Sequence, residues 1–270
     1  MKNKHTLLLL IPLLIILAGC NHLKPEALFS SLTGPEKLKV GITSDAPPLA
    51  YKKNDTLTGL ETKFAAGLAR SVGKTLELIE LPRQRLAQAL MDKKIDIIMS
   101  GLTAATAQEQ NLAVSTPYLT SGQVALVHLD VYKQLGNSIR NLTDPKVRIG
   151  VVTESTGDVF INGLKPQGKT IRYASAPEGV QALIDNTIDV FVYDLPANFY
   201  YASLYLDKGL TPGATPMTQE QLVWGIRPDD QAMLKAANEY LAAIQQSGEL
   251  HNLIERAIPF YKNTAYSPKK

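Results

Sequence analysis

Four histidines, one cysteine and a scatter of carboxylates bound the chemistry open to this chain. The histidines are His5, His22, His128 and His251, and no pair has metal-ligand spacing. Cys20 is the sole cysteine, so no disulfide can form within one molecule and no thiol is left in the body of the chain for catalysis. Zinc-protease, nucleophile-elbow, Walker and dinucleotide-binding motifs are all missing from the sequence. No metal and no cofactor is therefore expected. Asp194 ends the apolar run from Val190 to Tyr193. A carboxylate at a strand's carboxyl end, partly shielded from water, pairs well with a cation. An Asp there can equally cap the helix that follows. Asp45 and Glu61 lie at loop ends and are both candidate ligand contacts, Asp45 as a group facing the ligand and Glu61 with the alternative of a first-turn helix acid favoured by the dipole.

These groups need elements to hold them, and strands and helices alternate almost throughout. Leu38 to Ile42 alternates as a strand, and Leu60, Phe64, Leu68 and Val72 follow at helical spacing up to Gly73. A helix over Arg83–Met91 and a buried strand over Ile95–Met99 come next. A possible capping box of Thr106 and Glu109 sets the start of a short helix near Thr106. The second half repeats this grammar, with strands at 147–152, 188–193 and 221–226 and helices at 178–184, 196–206 and 229–245. Such alternation implies an α/β fold with mainly parallel strands and helices on both faces. Two echoes stand out: Lys94-Ile95-Asp96-Ile97 and Thr187-Ile188-Asp189-Val190 each put Ile-Asp ahead of a buried strand. Two similar α/β units in tandem suggest two lobes, whose strand ends would face a shared cleft.

The chain starts Met-Lys-Asn-Lys, runs apolar from Leu7 to Leu17, and closes that run with Leu17-Ala18-Gly19-Cys20. This is the pattern of a secretory signal ending in a lipobox, with residues 1–19 removed and Cys20 lipidated. The run falls short of the roughly 20 apolar residues of a bilayer span. Loss of Lys2 and Lys4 with the signal leaves 26 basic against 25 acidic side chains, a net charge of +1. That excludes an electrostatic footprint for nucleic acid. Residues 20–36 read as the lipidated Cys and a tether, and 263–270 as a polar tail.

In their order and spacing, five pieces resemble the bacterial extracellular solute-binding proteins of family 3. They are Gly41-Ile42-Thr43-Ser44-Asp45-Ala46-Pro47-Pro48, Gly59-Leu60-Glu61, Lys94 through Thr103, Ser115-Thr116-Pro117-Tyr118 and Ser155-Thr156-Gly157. Asp189 to Asp194 and Trp224-Gly225-Ile226-Arg227 continue the match. The resemblance implies a two-lobed, type II periplasmic-binding-protein fold joined by two hinge strands. Lobe 1 would be 37–122 plus 222–262, and lobe 2 would be 123–221. It implies an exported protein, a monomer, that closes around a small polar metabolite and hands it to an ABC transporter permease, held to a membrane through Cys20.

By the same resemblance Asp194 meets the ligand ammonium. Ser100, Gly101 and Thr103 offer backbone and hydroxyl groups, and Ser155 and Thr156 open a helix whose free N–H groups suit a carboxylate. The family's carboxylate-gripping Arg is Gln108 here, and an amide cannot replace a guanidinium fork. Arg83 stands where relatives often carry a cleft aromatic. The expectation is that Arg83 supplies the lost charge, the alternative being a solvated helix face shared with Arg85. Trp224 is expected as hinge-side packing. The same fold also hosts cyclohexadienyl dehydratases, for which Asp158 falls near a suitable acid position. A sensor domain for a separate membrane partner is the third reading.

Overall fold

The computed structural model describes residues 36–135, 139–213 and 215–264. The signal, Cys20 and the tether up to residue 35 lie outside the described residues. Among those described, no helix is long and apolar enough to cross a membrane.

Two lobes follow one another along the chain. The first opens with β1 (Lys37–Ile42) and a small antiparallel sheet of β2 (Asp45–Ala46), β3 (Ala50–Lys53) and β4 (Thr56–Thr58). It continues through α1 (Leu60–Ser71), β5 (Thr75–Glu80), α2 (Arg83–Met91), β6 (Ile97–Thr103), α3 (Ala104–Glu109), β7 (Ala113–Val114) and β8 (Leu119–Ser121). The second lobe comprises β9 (Gln123–His128), α4 (Leu129–Leu135), β10 (Ile149–Val152), α5 (Thr156–Leu164), β11 (Thr170–Tyr173), α6 (Ala176–Ile184), β12 (Val190–Asp194), α7 (Leu195–Leu204) and β13 (Leu210–Pro212). The chain then returns to the first sheet through β14 (Glu220–Ile226) and ends in α8 (Gln231–Gln246) and α9 (Glu249–Ala257).

The first sheet runs β5-β1-β6-β14-β7, with β8 also on β14; the second runs β11-β10-β12-β9-β13. In each, three parallel strands are joined by antiparallel ones, so both sheets are mixed. The two crossovers touch. The Gln123 N–H donates to Thr218 Oγ1 at 2.8 Å, and the Met217 N–H to the Gln123 carbonyl at 2.8 Å.

The two Ile-Asp echoes turn out to do one job twice. In the first lobe the Asp96 N–H donates to the Lys39 carbonyl, and Asp96 Oδ2 accepts the Lys39 N–H, both at 2.8 Å. In the second, Asp189 and Arg148 repeat the exchange at 2.9 and 2.8 Å. Each Ile lies over a glycine of the same sheet: a Cβ on Gly41 would come within 2.2 Å of Ile95 Cδ1, and one on Gly150 within 2.4 Å of Ile188 Cδ1. The carboxylate thus pins the register of the parallel pair, and the Ile fills the hollow the glycine leaves.

Several details depart from the sequence reading; the strand expected at Ile95–Met99, for one, runs from Ile97 to Thr103. The short helix begins at Ala104 rather than near Thr106, because the Thr103 hydroxyl caps it by accepting the Thr106 N–H at 3.1 Å. The helix expected at 196–206 is α7, ending at Leu204, with a 3-10 turn over Leu206–Lys208 after it. Trp224 is wholly buried against Phe64 and Tyr118, in a core cluster that also takes in Val124, Leu195 and Phe199 of the second lobe.

Asp189 also takes two further bonds from the Arg148 guanidinium, at 3.0 and 2.7 Å. These hold its carboxyl below the usual range. Asp189→Ala is therefore expected to lower unfolding stability by about 1.5–3 kcal/mol at pH 7. A depressed acid stabilises above its unfolded pKa, and the contribution fades as pH falls through the folded value. Urea midpoints of the wild type and the variant should converge in acid.

Candidate functional site

The carboxyl end of β6 carries Ser100, Gly101 and Thr103. The Ser100 hydroxyl is buried and committed: it accepts the Thr43 N–H at 2.9 Å and donates to Thr43 Oγ1 at 2.8 Å. Its carbonyl accepts Arg83 Nη1–H at 2.9 Å. Gly101 sits at φ +62°, a left-handed conformation that suits glycine. Its N–H points back to Glu61 Oε1 at 2.9 Å. The Thr103 hydroxyl is half-buried and caps α3. Gln108, further along that helix, is exposed.

Glu61 is no ordinary first-turn acid. It is fully buried beneath this loop. Oε1 accepts the Gly101 N–H and the Tyr118 hydroxyl, and Oε2 accepts Trp224 Nε1–H at 3.1 Å. Burial pushes its carboxyl up to about 7, against three donors that pull it down. Burial and the Glu61 charge together push the Tyr118 phenol well up. Sequence position alone cannot reveal this site, since Tyr118 and Trp224 lie 57 and 163 residues away along the chain.

On the second lobe, Asp194 ends β12 half-buried. Its Oδ1 accepts Gln123 Nε2–H at 2.6 Å, and it makes no side-chain cap to α7. Burial raises its carboxyl, while Gln123 and the Arg83 charge lower it. The start of α5 lies alongside. Ser155 caps that helix by accepting the Asp158 N–H at 3.2 Å, and Thr156 stands at its first position. A Cβ on Gly157 would lie 2.9 Å from both Gln123 Oε1 and the Val192 carbonyl, so the helix start abuts the amide that holds Asp194.

Arg83 opens α2. Its two terminal nitrogens reach the Ser100 carbonyl and, at 3.9 Å, Asp45 Oδ1; Asp45 is exposed. The guanidinium charge is felt by Glu61, Tyr193 and Asp194. Arg83 thus contacts the β6 loop and Asp45, and its charge reaches the acid of the other lobe. Tyr51 of β3 and Tyr200 of α7 also meet between the lobes, with ring centroids 5.5 Å apart.

Of the expected residues, Ser100, Gly101, Arg83, Asp45 and Glu61 cluster on the first lobe, and Asp194, Ser155 and Thr156 on the second. Asp158 is buried, paired with Arg172 at 2.9 Å and bonded to the Glu154 N–H and Asn162. Gln123, Glu220 and Tyr51 escaped the sequence reading. Gln123 is fully buried at the head of an alternating apolar strand, and a polar residue in that position was the available signal. Among the described residues no cluster of three or more His, Cys, Asp or Glu could hold a metal.

Two α/β lobes on a double crossover, with hydrogen-bonding and charged groups facing one another at the strand ends, define a hinged solute receptor. Residues 38–259 match the family described as bacterial extracellular solute-binding proteins, family 3, and the chain belongs to that family. The L-cystine-binding protein TcyJ of Escherichia coli K12 is 28% identical over 234 residues, 86% of each chain. A putative ABC-transporter binding component from Wolinella succinogenes, solved in complex with lysine, superposes with TM-score 0.76 at 28% identity over 84% of this chain and 97% of that one. A cyclohexadienyl dehydratase of Pseudomonas aeruginosa is 20% identical over 94% of each chain.

Glu61→Gln replaces an acceptor of three donors with a group that itself donates. A loss of about 1–3 kcal/mol in unfolding stability is expected. An acid whose folded pKa is raised stabilises fully below its unfolded pKa, and that contribution is lost as pH rises through about 7. Melting temperature should therefore fall between pH 5 and pH 8 in the wild type, and more steeply than in the variant.

Proposed function

We propose that this protein is the amino-acid receptor of an ABC importer, exported and anchored through a lipid on Cys20. The observation that carries the reading is a cation and an acid held at strand ends on the two lobes, Arg83 on the Ser100 carbonyl and Asp194 on Gln123 Nε2–H. A zwitterion whose ammonium meets Asp194 and whose carboxylate meets Arg83 satisfies both charges. The α5 N-terminus at Ser155 and Thr156 offers further N–H donors to the anionic end. The relatives that bind cystine and lysine support a ligand of this class. The Leu17-Ala18-Gly19-Cys20 lipobox supports the anchor, and a permease completes the transport step.

Closure supplies the specificity. A ligand held by one lobe alone shifts nothing; only interactions that form when the second lobe arrives favour the closed state. Gln108 is exposed on α3, whereas Arg83 already touches the β6 loop carbonyl. The anion contact is therefore assigned to Arg83. The dehydratase reading is the weaker one, because its candidate acid, Asp158, is tied up with Arg172.

A thermal-shift screen with L-lysine, L-arginine, L-histidine, L-cystine and simple amines should find at least one compound that raises the melting temperature. Asp194→Ala is expected to weaken that compound by more than about 30-fold, in line with about 2–5 kcal/mol for a buried charge pair. Arg83→Ala should cost about tenfold, since the guanidinium is half exposed and screened. Full binding by Arg83→Ala would move the anion contact to another group.

A further inference from the structure

The amino-acid reading leaves Gln123 and Glu220 without a task. Gln123 Nε2 donates to two carboxylates at once, Asp194 Oδ1 at 2.6 Å and Glu220 Oε1 at 3.1 Å. Its own Oε1 is one of two buried side-chain atoms among the described residues that have no hydrogen-bond partner. The Thr218 hydroxyl donates to Glu220 Oε1 at 2.9 Å while accepting the Gln123 N–H. The bridge spans the pivot. Glu220 opens β14 opposite Ser121, where the chain re-enters the first sheet. Gln123 opens the second lobe's β9, in register with Asp194.

The amide carries no charge, so two acids share one donor with no cation between them. A shared donor keeps them within the range, about 4–6 Å, over which like charges oppose each other's ionisation. Among the described residues no Lys or Arg pairs with Glu220. Of the groups that face the acids, Arg83 acts on Asp194 but is half exposed and already bonded to the Ser100 carbonyl. Asp45 lies beyond Arg83, and burial keeps the nearby Tyr193 phenol protonated.

We propose that Glu220 is a positioning residue for Asp194, acting through Gln123, and that the two acids share one proton until a ligand ammonium binds Asp194 and the proton leaves to solvent. The inference rests on the reading that Asp194 meets an amine. Its driving force is local. An ammonium replaces the missing cation, so both carboxylates can ionise, and Gln123 stays held by two acceptors in a fixed orientation. The direction of the shifts agrees: burial raises both acids, and the Asp194 charge raises Glu220 further. The arrangement favours compounds with a protonated amine over neutral isosteres, which leave the pair unbalanced.

The test has two arms, both on the folded wild type, Glu220→Gln and Asp194→Asn. Without any added compound, a carbon-13 titration of the carboxyl groups should show one wild-type Asp or Glu signal, besides Glu61, moving well above the ordinary carboxylate range of about 4. That signal should move down toward the ordinary range in both variants, by the part of its shift that the partner's charge supplies and burial does not, while the Glu61 signal near pH 7 stays in all three. An Asp194 titration unchanged by Glu220→Gln overturns the inference. In the second arm, calorimetry with L-lysine and L-arginine in mildly acidic buffers of differing ionisation enthalpy should register proton release in the wild type and markedly less in Glu220→Gln. Equal proton release by both overturns the inference. Absence of heat with either amino acid counts against the amine reading, and the first arm then decides the coupling alone.

Discussion

A carboxylate clamped on a neighbouring strand's backbone underlies both halves of this molecule. Asp96 and Asp189 each exchange two hydrogen bonds with a single residue beside the lobe's first parallel strand, Lys39 or Arg148. Parallel strands otherwise have only evenly spaced, slanted bonds to fix their register. A slip of one residue would turn every side chain to the opposite face. The β6 loop and Asp194 both lie at the far ends of strands so clamped. Their placement is therefore inherited from a lock at the opposite end of the same strand.

From these fixed ends the site is built by division of labour. Ser100, Gly101 and Glu61 spend their polar groups on each other and on the core, which leaves the loop rigid rather than adaptable. The charge nearest solvent is Arg83, on a half-exposed side chain. Glu61, fully buried, and Asp194, half-buried, are held from below by the sheets. Such a split suits a solute receptor: the exposed charge costs least to bring to a guest, and the groups that cost most to desolvate stay within the fold.

The sequence disclosed the alternation of elements, the two Ile-Asp echoes and the acid at the end of β12, because each depends on neighbours close in the chain. Glu61 was misread for the opposite reason. A first-turn helix acid and a buried acceptor of three donors share the same local pattern, and only the arrival of Tyr118 and Trp224 separates them. Thr103 and Thr106 pose a similar ambiguity, since either hydroxyl suits an N-cap and the backbone decides for Thr103. Asp158 looks free in the sequence because Arg172, its partner, sits on a different element. Gln123 and Glu220 are 97 residues apart, and nothing short of the folded crossover brings them together.

The meeting of Tyr51 and Tyr200 has a consequence for selectivity. Their ring contact is made by protein groups alone, and a pair of this kind contributes about 0.5–1.5 kcal/mol. No solute atom takes part in it, so that increment is the same whatever solute is inside and discriminates among none of them. A receptor with such a latch draws tightness partly from itself and must leave the choice of guest to the charged groups.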